Sequence, residues 1–585
     1  YTAVEAGRAA SELLPAIVQG ALDSLPIPRR MRWGAGVAEF VRPVHWLVLL
    51  HGTEIVPGSV LGVSSGRTTR GHRFMSTAEI ELASPSEYCA VLEKSGYVIA
   101  DYELRRQRIV AAVAGAAKKA GGIPIGDDAL YDEVTGLTEW PVPVTGSFDE
   151  EFLRLPREVI IATLTGHQRY FPVQDKHGNL LPVFITLANL ESKEPDRIRI
   201  GNERVIRPRL ADAAFFWKSD QLAPLADRCE GLKNVVYQKG LGTLYDKSMR
   251  VAALASLLAE QIGVENAPVT RAAVLAKCDL LTGMVGEFPE LQGTMGQYYA
   301  AAGDEPAEVA QAIGEQYLPR FAGDQLPDSV SGQILAVADK LDTLAGVFLL
   351  GKRPTGNRDP FGLRRAALGM VRILVEKNLD IDFSEAVMAA AVQQPVSTED
   401  QNGNRELMYE FIVDRLRGYF VASLDDGGNG ITADMFDAVR VRRPASLVDF
   451  RERLMAVADF LSLEPAVSLA AAIKRTTNIL RKANVEYRDA DSVDTALFLD
   501  DAERVLYHAL QSAKKDVAPL ITKRAYADAL RRLSELRVPV DAFFDGVMVM
   551  ADDEATRANR LTLLAELRAL FLDVADISRL TPARD

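Results

Sequence analysis

A multidomain α+β fold, mixed α/β at first and almost wholly helical afterwards, is what these 585 residues predict. Short β-rich runs bounded by Gly, Pro, Asn and Asp are confined to roughly the first 225 residues. From Leu232 onward apolar residues recur at three- and four-residue spacing, the pattern of buried helix faces. The length itself, at about 100–200 residues per domain, calls for three to five domains.

In the first part HWLVLLHG, EIVPGSVLGV, YFPV and LLPVFITLANL read as strands, and residues 103–119 and 202–217 as helices. QDKHGN, residues 174–179, lies between two strand-like runs and reads as a hairpin connection. Helices are then predicted over residues 251–262, 274–285, 308–317 and 334–350, making a compact helical domain to about residue 350. In the last of these Ile334, Val337, Ala338, Leu341, Leu344 and Phe348 form one buried stripe, with Asp339 and Asp342 beside it. Pro354, Gly356 and Asn357 break that helix, and Asp359-Pro360 starts another whose first turn holds Arg364 and Arg365. Arginines placed there suit phosphate, and a solvated charged loop is the alternative.

Beyond about residue 370 the pattern is helical, with DQNGNR (400–405) and DDGGNG (425–430) as polar connections. LAAAIKRTTNILRKA, residues 469–483, sets Ile473, Thr477 and Leu480 along one face and Lys474, Arg475, Asn478, Arg481 and Lys482 around the others. Cations and an amide on one helix suit the phosphates and base edges of single-stranded RNA; a wet basic face of an amphipathic helix fits the pattern equally.

The net charge of −13 argues against a general polyanion binder, since non-specific nucleic-acid affinity comes mainly from Lys and Arg. Basic residues nonetheless gather at Arg67, Arg70 and Arg73, at Lys352, Arg353, Arg358, Arg364 and Arg365, and along residues 440–453 and 474–482. Such patches on an acidic body favour orientation-selective RNA contact. No apolar run reaches about 18 residues, so no membrane span is expected. Cys89, Cys229 and Cys278 are too few and too scattered for a disulfide framework or a zinc site, and a reducing cytoplasm is the expected home. The chain begins at Tyr1 with neither an initiator Met nor a signal-peptide pattern, so an N-terminal segment is expected to be missing from it.

Two nucleotide-binding look-alikes fail. Gly346-VFLL-Gly351-Lys352 has Walker A spacing, but Arg353 stands where magnesium needs a hydroxyl, and bulky apolar residues continue a helix. Gly240-Leu241-Gly242 starts a dinucleotide-like pattern, but Tyr245 replaces the third glycine and no strand context is evident.

Several strings resemble the beta subunit of the bacterial heterotetrameric glycyl-tRNA synthetases. They are MRWG (31–34), FVRPVHWL (40–47), RTTRGHRF (67–74), DEVTGLTEWPV (132–142), HQRYFPV (167–173), GNERVIRPRLADAAFFW (201–217), MVGEFPELQGTMG (284–296), ADKLDTL (338–344) and GKRPTGNRDPFGLRRAALG (351–369). They run from residue 31 to residue 369, and the likeness of residues 526–580 carries the resemblance along nearly the whole chain. The resemblance implies a truncated B3/B4-like α/β domain over 1–225, an HD-like helical domain over 226–350, a helical linker or body over 351–440, and a DALR-type anticodon-binding helical domain over 441–585. Residues 526–580 carry the last likeness, in VDAFFDGVMVMADD and NRLTLLAELRALF. There Val540, Phe543, Phe544, Val547, Met548, Leu561, Leu564, Leu567 and Leu570 are expected in the core. Asp541, Asp545, Asn559 and Arg560 are candidate structural or tRNA-facing groups.

By the same resemblance a separate alpha subunit binds ATP and magnesium and forms glycyl-adenylate. The resemblance implies that this chain holds no cofactor, binds tRNA(Gly), and assembles as two alpha with two beta subunits. No HIGH-like tetrapeptide or other ATP-site motif of a synthetase is present, so no catalytic residue is assigned here. An HD-type fold invites a hydrolase reading, which the histidines decide against. All six, His45, His51, His72, His167, His177 and His508, lie outside 178–507. Where a His-Asp pair would stand there is Cys278-Asp279, with Asp339 as the distal acid; two carboxylates and a thiol make a poor site for a divalent transition metal. An HD-type phosphohydrolase with an RNA-binding tail and an RNA-binding scaffold without a ligase partner are the alternatives.

Overall fold

The computed structural model describes residues 7–77, 79–356, 358–396, 401–421, 430–484 and 492–581. The chain divides into two compact units, Tyr1–Ser219 and Asp220–Asp585.

The first unit is built on an antiparallel sheet under two helices, α1 (Tyr102–Lys119) and α2 (Asp128–Leu137). Its strands are β1 (Ile123–Pro124), β2 (Val142–Ser147), β3 (Phe171–Gln174) and β4 (Leu180–Ala188), in the spatial order β1-β3-β4-β2. Asp127 opens α2 by accepting the Leu130 amide at 2.8 Å. Ile109, Val113 and Ala117 of α1 and Leu130 and Val134 of α2 pack onto Phe171, Val173 and Ile185, which alternate outward from the pleat. Gly146 sits opposite Phe184, whose ring covers it so closely that a Cβ would lie 2.4 Å from Cζ. QDKHGN does join β3 to β4. The Asp175 carboxylate accepts the amides of His177 and Asn179 at 2.8 Å, and Gly178 supplies the positive φ of 88°. HWLVLLHG and EIVPGSVLGV form short strands from Leu47–Val48 to Val63–Gly66, and the helix read over 202–217 runs longer, as Pro195–Asp220.

Among the described residues the strands of the second unit are confined to one small ribbon, Val236–Gln238 paired with Gly242–Thr243, and the rest of its regular structure is helical. That ribbon corrects the reading of Gly240-Leu241-Gly242, since a short strand does precede the helix α3 (Leu244–Ile262). It makes no phosphate cradle, because Thr243 and Asp246 close the helix N-terminus in a reciprocal capping box. The helix predicted over 274–285 is broken: Asn266–Leu275 ends, a 3-10 turn Cys278–Leu281 follows, and Gly283–Glu287 starts afresh with Thr282 as its cap. Cys278, Met284 and Val285 are all buried, so helical spacing of apolar residues persisted through a break.

α4 (Val330–Leu349) is the central helix, packed by α3, by α5 (Leu363–Glu376) and by α6 (Phe383–Val392). It is buried on nearly every side rather than along one stripe, with Gln333, Lys340 and Asp342 inside. Residues 401–405 belong to the helix Gln401–Val421 instead of a connection. Met408, Ile412 and Leu416 are buried on that helix, and tertiary packing outweighs the weak helix propensity of Gly and Asn. Asp400 and residues 425–429 of the second predicted connection lie outside the described residues. Farther on, α7 (Ala466–Ala483), α8 (Asp501–Thr522) and α9 (Glu554–Leu572) form the C-terminal bundle with two shorter helices. Of its predicted core, Val540, Phe543, Val547, Leu561, Leu564, Leu567 and Leu570 are buried and Phe544 is half-buried. Met548 is 76 % exposed, because the chain leaves its helix at Gly546 and turns that side chain outward. Among the described residues no single helix is long and apolar enough to cross a membrane.

Candidate nucleic-acid interface

The segment between α4 and α5 is a built loop. Gly351, at φ 70°, lets the amides of Gly351 and Lys352 return to the carbonyls of Phe348 and Val347 at 2.9 and 3.1 Å, closing α4. This is the carbonyl end of a helix, so the Walker-like spacing around Gly346 faces the wrong pole for phosphate. Thr355 and Arg358 then exchange backbone hydrogen bonds, and the Asp359 carboxylate accepts the amides of Leu363 and Arg364 at 2.9 Å to open α5. Five cations ride on this frame. Arg364 donates to the Gly356 carbonyl, Arg353 donates to Asn404 at 2.8 Å, and the Lys352 ammonium lies 5.6 Å from the Phe361 ring centre. Arg358 and Arg365 are exposed, and among the described residues none of the five is ion-paired. Asn357 lies outside the described residues. An unpaired cationic loop on a chain of net charge −13 is the electrostatic footprint of a site for anions.

The basic residues of the first unit divide differently. Arg67 is half-buried and donates to the carbonyls of Thr53 and Leu82 at 2.9 and 3.4 Å, so it fastens its own loops. Arg70 is exposed but paired with Glu79 at 2.9 Å and lies 5.8 Å from the Trp46 ring centre. Arg73 is exposed beside Phe74, itself 76 % exposed.

In the C-terminal bundle, α7 buries Leu469, Ile473, Thr476 and Leu480 and leaves Lys474, Arg475, Asn478, Arg481 and Lys482 exposed on one long surface. Thr477 is half-buried and accepts from Arg568 at 3.1 Å. Arg475 stacks over Phe544 at 4.4 Å, while Asn478 accepts from Arg481 at 3.1 Å. Asn559 and Arg560 are turned inward, against their candidacy as RNA contacts. Asn559 is bonded in both directions to the backbone of Asp494, at 2.8 and 2.9 Å. Arg560 grips Glu503 at 2.7 Å and Asp500 at 3.0 Å, joining α9 to α8. The sequence signal for this was the Asp500–Glu503 capping box, which with Asp501 places three acids at the start of α8 beside one local cation, Arg504, itself paired with Asp501. Asp541 accepts from Ser468 at 3.2 Å, and Asp545 is exposed.

Cys278, Asp279 and Asp339 converge with residues that sequence reading passed over. Asp339 Oδ1 lies 3.1 Å from Lys277 Nζ and 3.3 Å from Lys247 Nζ. Asp342 takes Arg250 at 2.7 Å, Lys247 at 3.1 Å and the Gln394 amide at 2.8 Å. Burial opposes ionisation of both acids, yet the lysines, with Arg250 at Asp342, hold them below the usual carboxylate range. Asp279 accepts the amides of Gly293 and Gly296, but burial prevails and pushes it up to about 6. Burial likewise drives Lys340 down to about 8. Cys278 meets Cys229, with sulfurs 3.1 Å apart, a contact that their separation in sequence concealed. A divalent metal does not fit here. Among the described residues no group of three or more His, Cys, Asp or Glu side chains is suited to hold one, and ammonium groups already sit against the one carboxylate placed to serve.

Comparison with known proteins gives the family of the chain. The family model described as glycyl-tRNA synthetase beta subunit matches residues 1–440, and that of the DALR anticodon binding domain matches residues 469–577. The chain is 48 % identical over 581 residues to the glycine-tRNA ligase beta subunit of Hahella chejuensis, covering 99 % of this chain and 82 % of that protein. It is 49 % identical over 580 residues to the protein of the same name from Chromohalobacter salexigens, with 99 % and 83 % covered. The figure is also 49 %, over 584 residues, for that of Marinobacter nauticus, with 100 % and 83 % covered.

Proposed function

The chain belongs to the glycyl-tRNA synthetase beta-subunit family, and from that membership we infer that it is the tRNA-binding, non-adenylating subunit of a glycine-tRNA ligase. It binds tRNA(Gly) and presents the 3′ end for glycyl transfer from an adenylate formed on a separate alpha subunit, where ATP and magnesium bind. The match to relatives of that name over 99–100 % of this chain and 82–83 % of theirs carries the reading. Its physical contribution is positioning: holding two reactants at attack distance removes translational and rotational freedom from the barrier, with no acid or base from this chain.

In the finer reading the domains run over 1–225 (B3/B4-like), 226–350 (HD-like), 351–440 (linker or body) and 441–585 (DALR-type). The working assembly is two alpha and two beta subunits in the cytoplasm. Arg73, Lys352, Arg353, Arg358, Arg364 and Arg365 remain contact candidates for tRNA or alpha, joined by the paired Arg70. Lys474, Arg475, Asn478, Arg481 and Lys482 are those of the anticodon domain. The exposed, cationic surfaces of the 352–365 loop and of α7 support this choice. The test is binding of tRNA(Gly) against a tRNA of another identity, with and without the alpha subunit. Preference for tRNA(Gly) and co-purification with alpha are expected. Equal affinity for all RNAs and indifference to alpha would instead make the chain a scaffold.

A further inference from the structure

Beside α4 lies a cleft of about 660 Å³, lined by Lys340, Arg320 and Arg365, by the aromatic rings of Tyr317 and Phe361, and by Gln292. Its floor is unusual in charge. Four cations, Lys247, Lys277, Lys340 and Arg250, are enclosed with three acids, Asp339, Asp342 and Asp279, while the next acid towards Lys340, Asp324, is only half-buried. Burying more positive than negative charge is costly unless an anion compensates it. Lys340 is 8 % exposed, and among the described residues its ammonium has one hydrogen-bond acceptor, the Leu318 carbonyl at 2.7 Å, which leaves two of its three N–H groups without one. At the mouth Arg320 and Arg365 are exposed, and no side-chain hydrogen bond or ion pair engages either guanidinium among the described residues. Asp339 and Glu290 also line the cleft; Asp339 is already enclosed by two ammonium groups, and Glu290 stands at the exposed rim.

We propose that this cleft is a nucleotide phosphate-binding site, in which Lys340 with Arg320 and Arg365 takes the phosphate and the rings of Tyr317 and Phe361 receive the base. Two guanidinium forks around one ammonium match a phosphate, which offers oxygens in several directions, better than a lone carboxylate. The volume is that of a site for a small organic ligand. Aromatic walls add stacking that any base satisfies. The same chemistry is offered by a nucleotide of a tRNA strand and by a free nucleoside monophosphate; the first source rests on the tRNA-binding reading above, the second does not.

The experiment titrates the whole chain with inorganic phosphate, with 5′-AMP and with tRNA(Gly), in wild type, Lys340→Met and the double variant Arg320→Ala with Arg365→Ala. The double variant changes only exposed side chains and keeps the test valid should Lys340→Met fold poorly. Saturable AMP binding that both variants weaken tenfold or more supports the site. If tRNA affinity falls as well and AMP competes with tRNA, the occupant is an RNA nucleotide; if tRNA affinity is unchanged, it is the free nucleotide. Loss of tRNA affinity without any AMP binding also supports a site for a phosphate within RNA. AMP binding in a chain that binds no tRNA leaves the site standing and removes the tRNA-binding reading. No binding of phosphate or AMP, together with unchanged tRNA affinity in both variants, overturns the proposal.

Discussion

Replacing Asp342 by alanine tests the buried cluster that holds α3, α4 and α6 together. The carboxylate accepts from Arg250, Lys247 and Gln394 and its side chain is 2 % exposed, so its loss leaves two cations in the interior with too little negative charge. Arg250 would retain the Leu241 carbonyl at 3.1 Å, and Lys247 would retain Thr343 and Asp339, so part of each hydrogen-bond set survives. Breaking a buried ion pair from one side costs about 3–5 kcal/mol. At about 1.4 kcal/mol per factor of ten, the opened state of these helices gains about two to three and a half orders of magnitude in population. Hydrogen exchange followed by mass spectrometry reads this directly, as faster exchange over residues 244–262 and 330–349, alongside a lower denaturation midpoint. Asp342→Asn keeps the shape and one acceptor and is expected to cost less. Arg537→Ala, which removes an exposed partner of Glu464, is expected to leave the midpoint unchanged. Acceleration of less than about fivefold, some 1 kcal/mol, in those two helices would refute the assignment of Asp342 as the cluster's anchor.

Other substitutions separate folding from RNA binding. Arg560→Ala strands Glu503, whose side chain is wholly buried, and is expected to cost about 3 kcal/mol in the C-terminal bundle, read by urea denaturation, without altering tRNA affinity of the folded protein. Arg481→Ala with Lys482→Ala is expected to leave circular dichroism unchanged, weaken tRNA binding and lower the salt slope by about one unit for each phosphate that is no longer neutralised. Lys340, held near 8 by burial against about 10.4 in an unfolded chain, costs stability below pH 8, and the cost fades as pH rises towards 10. Whatever its sign, the stability difference between Lys340→Met and wild type in phosphate-free buffer is therefore expected to favour the variant most below pH 8 and to move towards wild type by pH 10. A pH-independent difference would show that Lys340 is not depressed. Gly146→Ala drives a methyl into the Phe184 ring and is expected to destabilise the first unit by about 1–3 kcal/mol in thermal denaturation.

What could be read in the chain followed how local each interaction is. Strand runs such as LLPVFITLANL and the QDKHGN turn carry their own signals, and α4 announced itself through its apolar spacing. Its full burial was hidden, because Lys340 and Asp342 look like solvent residues until cations and acceptors from distant segments are brought beside them. The same distance concealed the Asp494–Asn559 and Glu503–Arg560 links and left the sequence undecided between a structural and an RNA-facing role for an inward pair. The 274–285 segment shows the converse error, in which apolar spacing ran on through a capped break at Thr282. The exposed face of α7 was legible because every one of its cations lies on the same helix as the apolar stripe that orients it.

The central claim is that this chain serves glycylation by holding tRNA for another subunit's chemistry. Glycylation of purified tRNA(Gly) by the chain alone, by the alpha subunit alone and by the two together tests it most directly. Charging in the mixture, with none from this chain and little from alpha alone, is the predicted result. Charging by this chain without alpha, or charging by alpha that the chain does not improve, would contradict it.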